Sequence, residues 1–305
     1  MLPGMKPTAL FCAVLFSYTA SHSQQSNPLE TRTRVDLVRL TFTVTDKQGK
    51  FVKDLRQEQF KILDNNVPPK ELIHFEAQTD LPVRLGLLIE ASNSNTAQIL
   101  AEKRAAKHFL QASIRPESDR ALILAFDEVP DITQDFSNDL EKLAKGVENI
   151  RPGSGTAMWD AVYYACRDKM LKERNTTPVR RAIILISSGD DKESRVLRQE
   201  AIEMALRAEV VVYAISTNLS NHQGTGDRDL QMLAEATGGR AFFLDRQQDF
   251  ADAFARITDE LRSQYAVVYQ PDSLEANGKY RAVQIIVDNP KQRVRARKGY
   301  YAPTP

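Results

Sequence analysis

Cysteine and histidine are scarce in this 305-residue sequence, which holds two cysteines and four histidines. Cys12 lies in an N-terminal stretch that we predict to be removed, so Cys166 is left without a partner for an intramolecular disulfide. The histidines form no His-x-x-x-His or Cys/His pair, which argues against a zinc site. The formal net charge is only +1. The sequence therefore predicts no nucleic-acid partner and no general attraction to an anionic membrane.

Long hydrophobic runs are also missing. The apolar stretch "PTALFCAVLFSYTA" at residues 7–20 is shorter than the roughly 20 residues that a membrane span needs. Lys6 precedes it and small residues within 21–23 follow it, which is typical of a secretory signal peptide. We therefore expect an exported protein, periplasmic or extracellular, with no stable membrane insertion after cleavage. An N-terminal membrane anchor is the alternative.

Signatures of common enzymes are absent as well. The sequence has no Gly-x-Ser-x-Gly nucleophile elbow, and the glycine-rich "RPGSGTAM" lacks the Gly-Lys-Ser/Thr ending of a phosphate-binding loop. We therefore expect a protein that is not an enzyme. The alternative is an enzyme, an exported hydrolase in which a divalent ion assists Asp190 and Asp191. Adjacent loop carboxylates usually point apart, however, and acid–base work needs a positioned pair.

The hydrophobic period changes twice along the chain. Residues 35–77 alternate apolar and polar side chains, as in "VRLTFTVT", which indicates half-buried antiparallel strands. From residue 82 to about 262, amphipathic helical segments alternate with nearly continuous apolar runs such as "VRLGLLIE" and "RAIILISS". Such runs are typical of parallel strands that are buried on both faces. After Ser263 the alternation of single residues returns.

These periods predict a doubly wound (Rossmann-like) α/β domain inserted in a small β-sandwich. Three strands at either end of the chain are too few to fold alone, so we expect the N- and C-terminal segments to build the sandwich together. The predicted boundaries are a signal peptide at 1–23, a linker at 24–34, sandwich halves at 35–80 and 264–305, and the α/β domain at 81–263.

Oxygen-bearing side chains lie at the ends of two predicted parallel strands and at the start of one predicted helix. Ligands of open α/β sheets bind at the carboxyl ends of the strands, where these residues should meet. The candidates are Glu90, Ser92 and Ser94 after the first parallel strand, Thr156 in "RPGSGTAMWDA", and Ser188 and Asp190 in "ISSGDD".

This constellation resembles the metal-ion-dependent adhesion site of the von Willebrand factor type A domain, a D-x-S-x-S motif followed by a Thr and by an Asp before Gly. Ser92, Ser94 and Thr156 match the hydroxyl ligands of that family. Glu90 and Ser188 stand where the family has its two aspartates. The lead "VTDKQGKFVKDL" and the ending "RARKGYYAP" are similar to exported bacterial proteins described as VWFA-related. The resemblance implies adhesion or assembly in the cell envelope, through a protein partner.

The partial match implies a degenerate metal site. Glu90 adds a methylene to the family's first aspartate, and Ser188 removes a negative charge from the second. Magnesium needs near-ideal octahedral oxygen geometry, whereas calcium tolerates longer and looser contacts. One interpretation is a weak Mg²⁺ or Ca²⁺ site, with charge lent by Asp190 and completed by an acidic residue of the partner. The other, which charge count favours, is no metal, with the hydroxyls capping helices and loops.

The sequence thus predicts an exported, non-enzymatic protein-binding module of the cell envelope. Besides the hydrolase, a passive structural element of the envelope is an alternative. The basic stretch "KQRVRARKG" at 291–299 is interpreted as an edge strand with solvated, protective charges, or else as a patch for anionic glycans. Cys166 lies on the apolar face of a predicted helix and is interpreted as a buried, unreactive thiol.

Overall fold

A computed structural model describes residues 37–77, 80–91, 96–219, 224–246 and 249–304. These ranges belong to one compact unit, Asp36–Pro305. The predicted signal peptide, the linker, Ser92 and Ser94 lie outside the described residues. Within the described ranges, no helix combines the length and the apolar character that a membrane crossing requires.

The described ranges contain strands from both chain ends and a central run of alternating strands and helices. The strands are β1 (Val38–Thr45), β2 (Phe60–Asp64), β3 (Glu71–Glu76), β4 (Val83–Glu90), β5 (Arg120–Phe126), β6 (Pro130–Ser137), β7 (Arg180–Ser187), β8 (Val210–Ser216), β9 (Ala241–Phe242), β10 (Tyr265–Gln270), β11 (Tyr280–Val287), β12 (Arg293–Ala296) and β13 (Gly299–Tyr301). The helices are α1 (Thr96–Ser113), α2 (Leu140–Glu148), α3 (Met158–Tyr164), α4 (Arg198–Arg207), α5 (Thr225–Thr237) and α6 (Phe250–Leu261). A π-helical segment, Ala165–Met170, continues α3.

The central sheet has six strands in the order β6-β5-β4-β7-β8-β9 and is parallel except between β5 and β6. In β4, Leu87 packs into an apolar layer with α1, α2 and α6, whereas Leu88 packs into a second layer with α3, α4 and α5. Cys166 belongs to the second layer and is fully buried, which raises the pKa of its thiol. Both faces of the sheet are therefore covered by helices, which explains the continuous apolar runs. The predicted fold class is confirmed.

Both chain ends together form the β-sandwich. One sheet has the order β12-β1-β10-β3, the other β13-β11-β2, so each mixes strands from before and after the α/β part. The two sheets share one apolar core, in which the rings of Phe60 and Tyr265 lie 5.4 Å and 5.3 Å from the ring of Phe42. Neither half could bury this core alone, which is the physical reason for the insertion.

A buried carboxylate ties the two sheets of the sandwich together. Asp64, at the end of β2, accepts hydrogen bonds from Tyr269 Oη at 2.9 Å, Tyr300 Oη at 2.7 Å and Arg281 Nε at 2.8 Å. The side chain of Asp64 is 1% exposed, so it depends on these donors for the solvation that water would otherwise supply.

The basic stretch 291–299 joins the sandwich to the α/β part. Its strand β12 is at a sheet edge and Arg293 is exposed, as expected, but Arg295 and Arg297 are partly buried. Arg295 forms an ion pair with Glu260 of α6, which is 2% exposed, and burial raises the pKa of that carboxyl while Arg295 opposes the shift. Arg297 lies 3.7 Å from Glu209, and Lys298 lies 3.0 Å from Glu235. These ion pairs connect the sandwich to the α/β part.

Replacing Asp64 tests the importance of the inter-sheet carboxylate. We expect Asp64→Ala to lower the free energy of unfolding by about 3–5 kcal/mol, because it leaves a buried guanidinium and two hydroxyls without their acceptor. Urea unfolding followed by circular dichroism measures this loss. The exposed Asp272→Ala is the control and should stay within about 0.5 kcal/mol of the parent chain. Equal stability of the two variants would contradict the assignment.

Candidate binding site at the strand ends

The carboxylate of Glu90 is the centre of a hydrogen-bond network at the carboxyl edge of the central sheet. Its Oε1 accepts from Thr156 Oγ1 at 3.1 Å, and its Oε2 accepts from Ser187 Oγ at 2.7 Å and the Ser188 backbone N at 2.8 Å. Ser188 Oγ lies within 3.2 Å of both carboxylate oxygens. Glu90 and Thr156 are buried. The structure therefore brings together three of the six predicted site residues.

Backbone contacts hold Thr156 over the strand ends. Gly153 N donates to Ala91 O at 2.8 Å, and Ala157 N donates to Asp127 O at 2.6 Å. A β-carbon on Gly153 would lie 1.8 Å from Asp127 Oδ2, so this close approach requires glycine. The loop that carries Thr156 is thus fixed against the ends of two neighbouring strands, β4 and β5.

The two acidic residues after β7 do not face the Glu90 carboxylate as a pair. Asp190 is exposed, and only its backbone N approaches the network, at 3.4 Å from Ser188 Oγ. Asp191 instead accepts from Trp159 N at 3.0 Å and Ser194 Oγ at 2.6 Å, so it caps the first turn of α3. A carboxylate pair suited to hydrolysis is therefore not formed by these two side chains.

Sequence reasoning missed a neighbouring polar cluster. Asp227, 3% exposed in the first turn of α5, accepts from Ser216 Oγ at 2.6 Å and Asn218 Nδ2 at 3.1 Å. Asn218 Nδ2 also donates to Ser188 O at 2.8 Å, which links the ends of β7 and β8. The sequence held a signal for this cluster, because Ser187 and Ser216 each end an apolar run. In the structure these runs are neighbouring strands, and the two serines pair in register.

A third buried carboxylate lies near this face. Glu102 of α1 is 1% exposed and accepts a hydrogen bond from Gln98 Nε2 at 3.1 Å. Gln98 Nε2 also donates to Thr217 O at 3.1 Å, so α1 is connected to the end of β8. Burial raises the pKa of Glu102 to about 7, Gln98 opposes this rise, and the charge of Glu90 adds to it.

Three exposed apolar side chains lie in loops that start at this edge of the sheet. Val129, Leu197 and Leu219 are 59%, 68% and 40% exposed, and they follow β5, β7 and β8. Because these strands are parallel, all three loops lie at the edge of the sheet where Glu90 lies. We call Val129, Leu197 and Leu219 the apolar rim. Large apolar side chains that stay exposed around a polar centre are typical of a protein-binding face.

The described residues do not fit a tightly held divalent cation. They contain no group of three or more His, Cys, Asp or Glu side chains placed to hold a metal ion. Only Glu90 contributes a carboxylate to the centre, and Thr156 and Ser188 direct their hydroxyl protons at it. Small hard cations depend on several negatively charged oxygens. The assignment of the six residues as metal ligands stays a prediction, since Ser92 and Ser94 are not described.

Comparison with known proteins agrees with this geometry. Residues 86–190 match the family model of the von Willebrand factor type A domain. No curated protein sequence matches the chain. The match covers β4 to the loop after β7, the segment that carries the Glu90 network.

Solved structures show the same fold at low sequence identity. A von Willebrand factor type A protein from Catenulispora acidiphila has a TM-score of 0.53 at 12% identity, over 80% of this chain and 72% of that one. Proximal thread matrix protein 1 from the mussel byssus has a TM-score of 0.52 at 13% identity, over 65% of this chain and 50% of its own. The byssus protein was also solved with zinc in its metal-ion-dependent adhesion site (MIDAS) motif. That structure has a TM-score of 0.50 at 14% identity, over 63% of this chain and 48% of its own. The chain thus spans about half of the byssus protein.

Glu102 should make stability depend on pH. The pKa of Glu102 is higher in the folded chain than its ordinary value of 4.5, so stability is lost as the pH rises from about 4.5 to about 7. Glu102→Gln removes this loss. We expect the variant to gain roughly 1–3 kcal/mol relative to the parent chain between pH 4.5 and pH 8.

Urea unfolding of both chains at the two pH values measures the gain. Glu117→Gln, at an exposed position, is the matched control. Any change that it makes in the free energy of unfolding should be the same at both pH values. A stability difference between Glu102→Gln and the parent chain that is the same at both pH values would show that Glu102 does not titrate as described.

Proposed function

We propose that this protein is an exported, non-enzymatic protein-binding module of the cell envelope, and that its strand-end face recognises a protein partner without a tightly held metal ion. Export rests on the signal-peptide pattern of residues 1–23. The binding role rests on the von Willebrand factor type A domain at residues 86–190 and on the face described above.

The observation that carries the proposal is the Glu90 network. One carboxylate holds the end of β4, the Thr156 loop and the start of the loop after β7 in a single arrangement. Loops that are already ordered lose little conformational entropy when a partner binds, so more of the contact energy appears as affinity. The apolar rim around this fixed centre supplies the surface whose removal from water favours association.

Glu90 also explains how the face can work without a cation. A metal at such a site would connect the strand-end loops through their oxygen atoms, and here a carboxylate does so through hydrogen bonds. Its longer side chain reaches Ser187 and the backbone of Ser188 on the neighbouring strand. A cation would have to displace these donors, which themselves compensate the burial of the negative charge. Asp190 is left exposed, where it can meet a polar or basic group of the partner.

Metal titration tests the degenerate centre. We expect isothermal calorimetry of the parent chain to show no magnesium affinity tighter than about 1 mM, because the centre has one carboxylate. Glu90→Asp combined with Ser188→Asp shortens the first acid and restores the second, so we expect it to bind Mg²⁺ or Ca²⁺ more tightly. Glu90→Asp with Ser154→Asp adds the same charge at an exposed position of the same face and should gain nothing. Low-micromolar binding by the parent chain would contradict a degenerate site.

Partner capture tests the binding face. The immobilised protein should retain a specific partner from envelope extract equally well with and without EDTA, and Leu197→Asp should abolish capture because it places a charge in the apolar rim. Leu171→Asp introduces the same change at an exposed position, 45% accessible, outside the rim. Capture that EDTA removes would refute metal independence. Equal capture by Leu197→Asp and Leu171→Asp would refute the face.

A further inference from the structure

A basic groove lies at the opposite end of the central strands from Glu90. Its volume is about 340 Å³, and its lining includes Arg39 of β1, Arg181 at the start of β7, Val179 and Glu209. These four residues also line a narrower cleft of about 40 Å³ that reaches Arg297. Since β7 runs from the groove to the Glu90 network, the two sites are roughly 20 Å apart. The groove therefore does not depend on the function proposed above.

Two arginines of the groove have no carboxylate partner among the described residues. Arg39 forms no ion pair there, and Arg181 uses only Nε, which donates to Met170 O at 3.1 Å. Both side chains are half-buried, so water screens their charges less than it would screen charges at the surface. Both side chains line the groove.

The acidic residues of the groove are engaged by other arginines. Glu173 accepts from Arg120 Nη1 at 2.7 Å and lies 3.5 Å from Arg84 Nε. Glu209 lies 3.7 Å from Arg297. The lining holds two arginines and two glutamates, and the three further arginines that pair with these glutamates leave the groove and its immediate surroundings with an excess of positive charge.

Arg297 adds an unused donor at the inner end. Its side chain is 10% exposed, and Nη2 donates to Arg39 O at 2.7 Å. Its buried Nε has no acceptor among the described residues. A buried donor without an acceptor is costly, and an oxygen atom entering the cleft would satisfy it.

We propose that this groove binds a carboxylate side chain of an acidic peptide segment of a partner protein. Planar guanidinium groups match carboxylates through two parallel hydrogen bonds, and such charge-assisted bonds are strong in partly buried sites. The groove is of the size that surrounds one or two side chains, and Pro178 and Val179 give it an apolar wall for the aliphatic part of a glutamate. A polyanionic glycan would instead call for a long basic track along the surface.

Fluorescence anisotropy with a fluorescein-labelled Glu-rich hexapeptide tests the proposal on the full chain. We expect the peptide to bind, and the same peptide with Gln for each Glu not to bind. Arg39→Gln and Arg181→Gln should each weaken binding about tenfold or more, because each removes one carboxylate contact. The exposed Arg104→Gln of α1 removes an equal charge elsewhere and should leave the affinity unchanged.

Three outcomes would overturn the proposal. Equal binding of the Glu and Gln peptides would exclude carboxylate recognition. An unchanged affinity in Arg39→Gln and Arg181→Gln, with unfolding midpoints equal to the parent chain, would exclude the groove. Inorganic phosphate or heparin could also displace the labelled peptide. If either does so at a lower concentration of negative charge than the unlabelled Glu peptide requires, the groove belongs to another class of anion. None of these results bears on partner capture at the apolar rim.

Discussion

Burial of a negative charge is the constraint on which the strand-end face depends. A carboxylate removed from water must be surrounded by donors or it will take up a proton or remain exposed. Glu90, at the end of β4, is 8% exposed, and the donors that surround it come from two other segments of the chain, the Thr156 loop and residues 187–188. The arrangement of these segments therefore follows from a single requirement. The shape of the presented face is set by the need to satisfy one side chain.

The same physical rule recurs wherever two parts of this molecule meet. Asp64 holds the two sheets of the sandwich, Glu260 holds α6 against β12, and Asp227 holds α5 against the end of β8. Each is at most 3% exposed, and each accepts from residues that are distant in sequence or lie on another element. Apolar packing supplies most of the stability of such a fold, whereas these polar contacts can be made in one register only. They specify how the parts fit together.

Hydrophobic period was sufficient to predict the class of fold, because burial on one face or two is a local property of a strand. "VRLTFTVT" alternates since β1 buries one face in the sandwich, and "VRLGLLIE" does not since β4 is covered on both sides. The meeting of Glu90, Thr156 and Ser188 was also predictable, because parallel strands end at one edge of a sheet. The role of Asp191 was not predictable, since whether a loop carboxylate caps α3 depends on how the loop folds back. Arg295 of β12 was misjudged for the same reason: alternation identified an edge strand with the exposed Arg293, but not the α/β surface against which Arg295 packs.

The sequence by itself determined which segments are buried, the alternation of strands and helices in the central part of the chain, and the insertion of one domain in another. These properties depend on the solvation of each segment, which composition and period record directly. The tertiary structure alone decided the partners of each buried charge: Ser187 and Ser188 for Glu90, Glu260 for Arg295, and no carboxylate in the described residues for Arg39 and Arg181. The physical reason is that electrostatic and hydrogen-bond energies vary steeply over a few ångströms. Those separations are set by the packing of elements that are far apart in the chain.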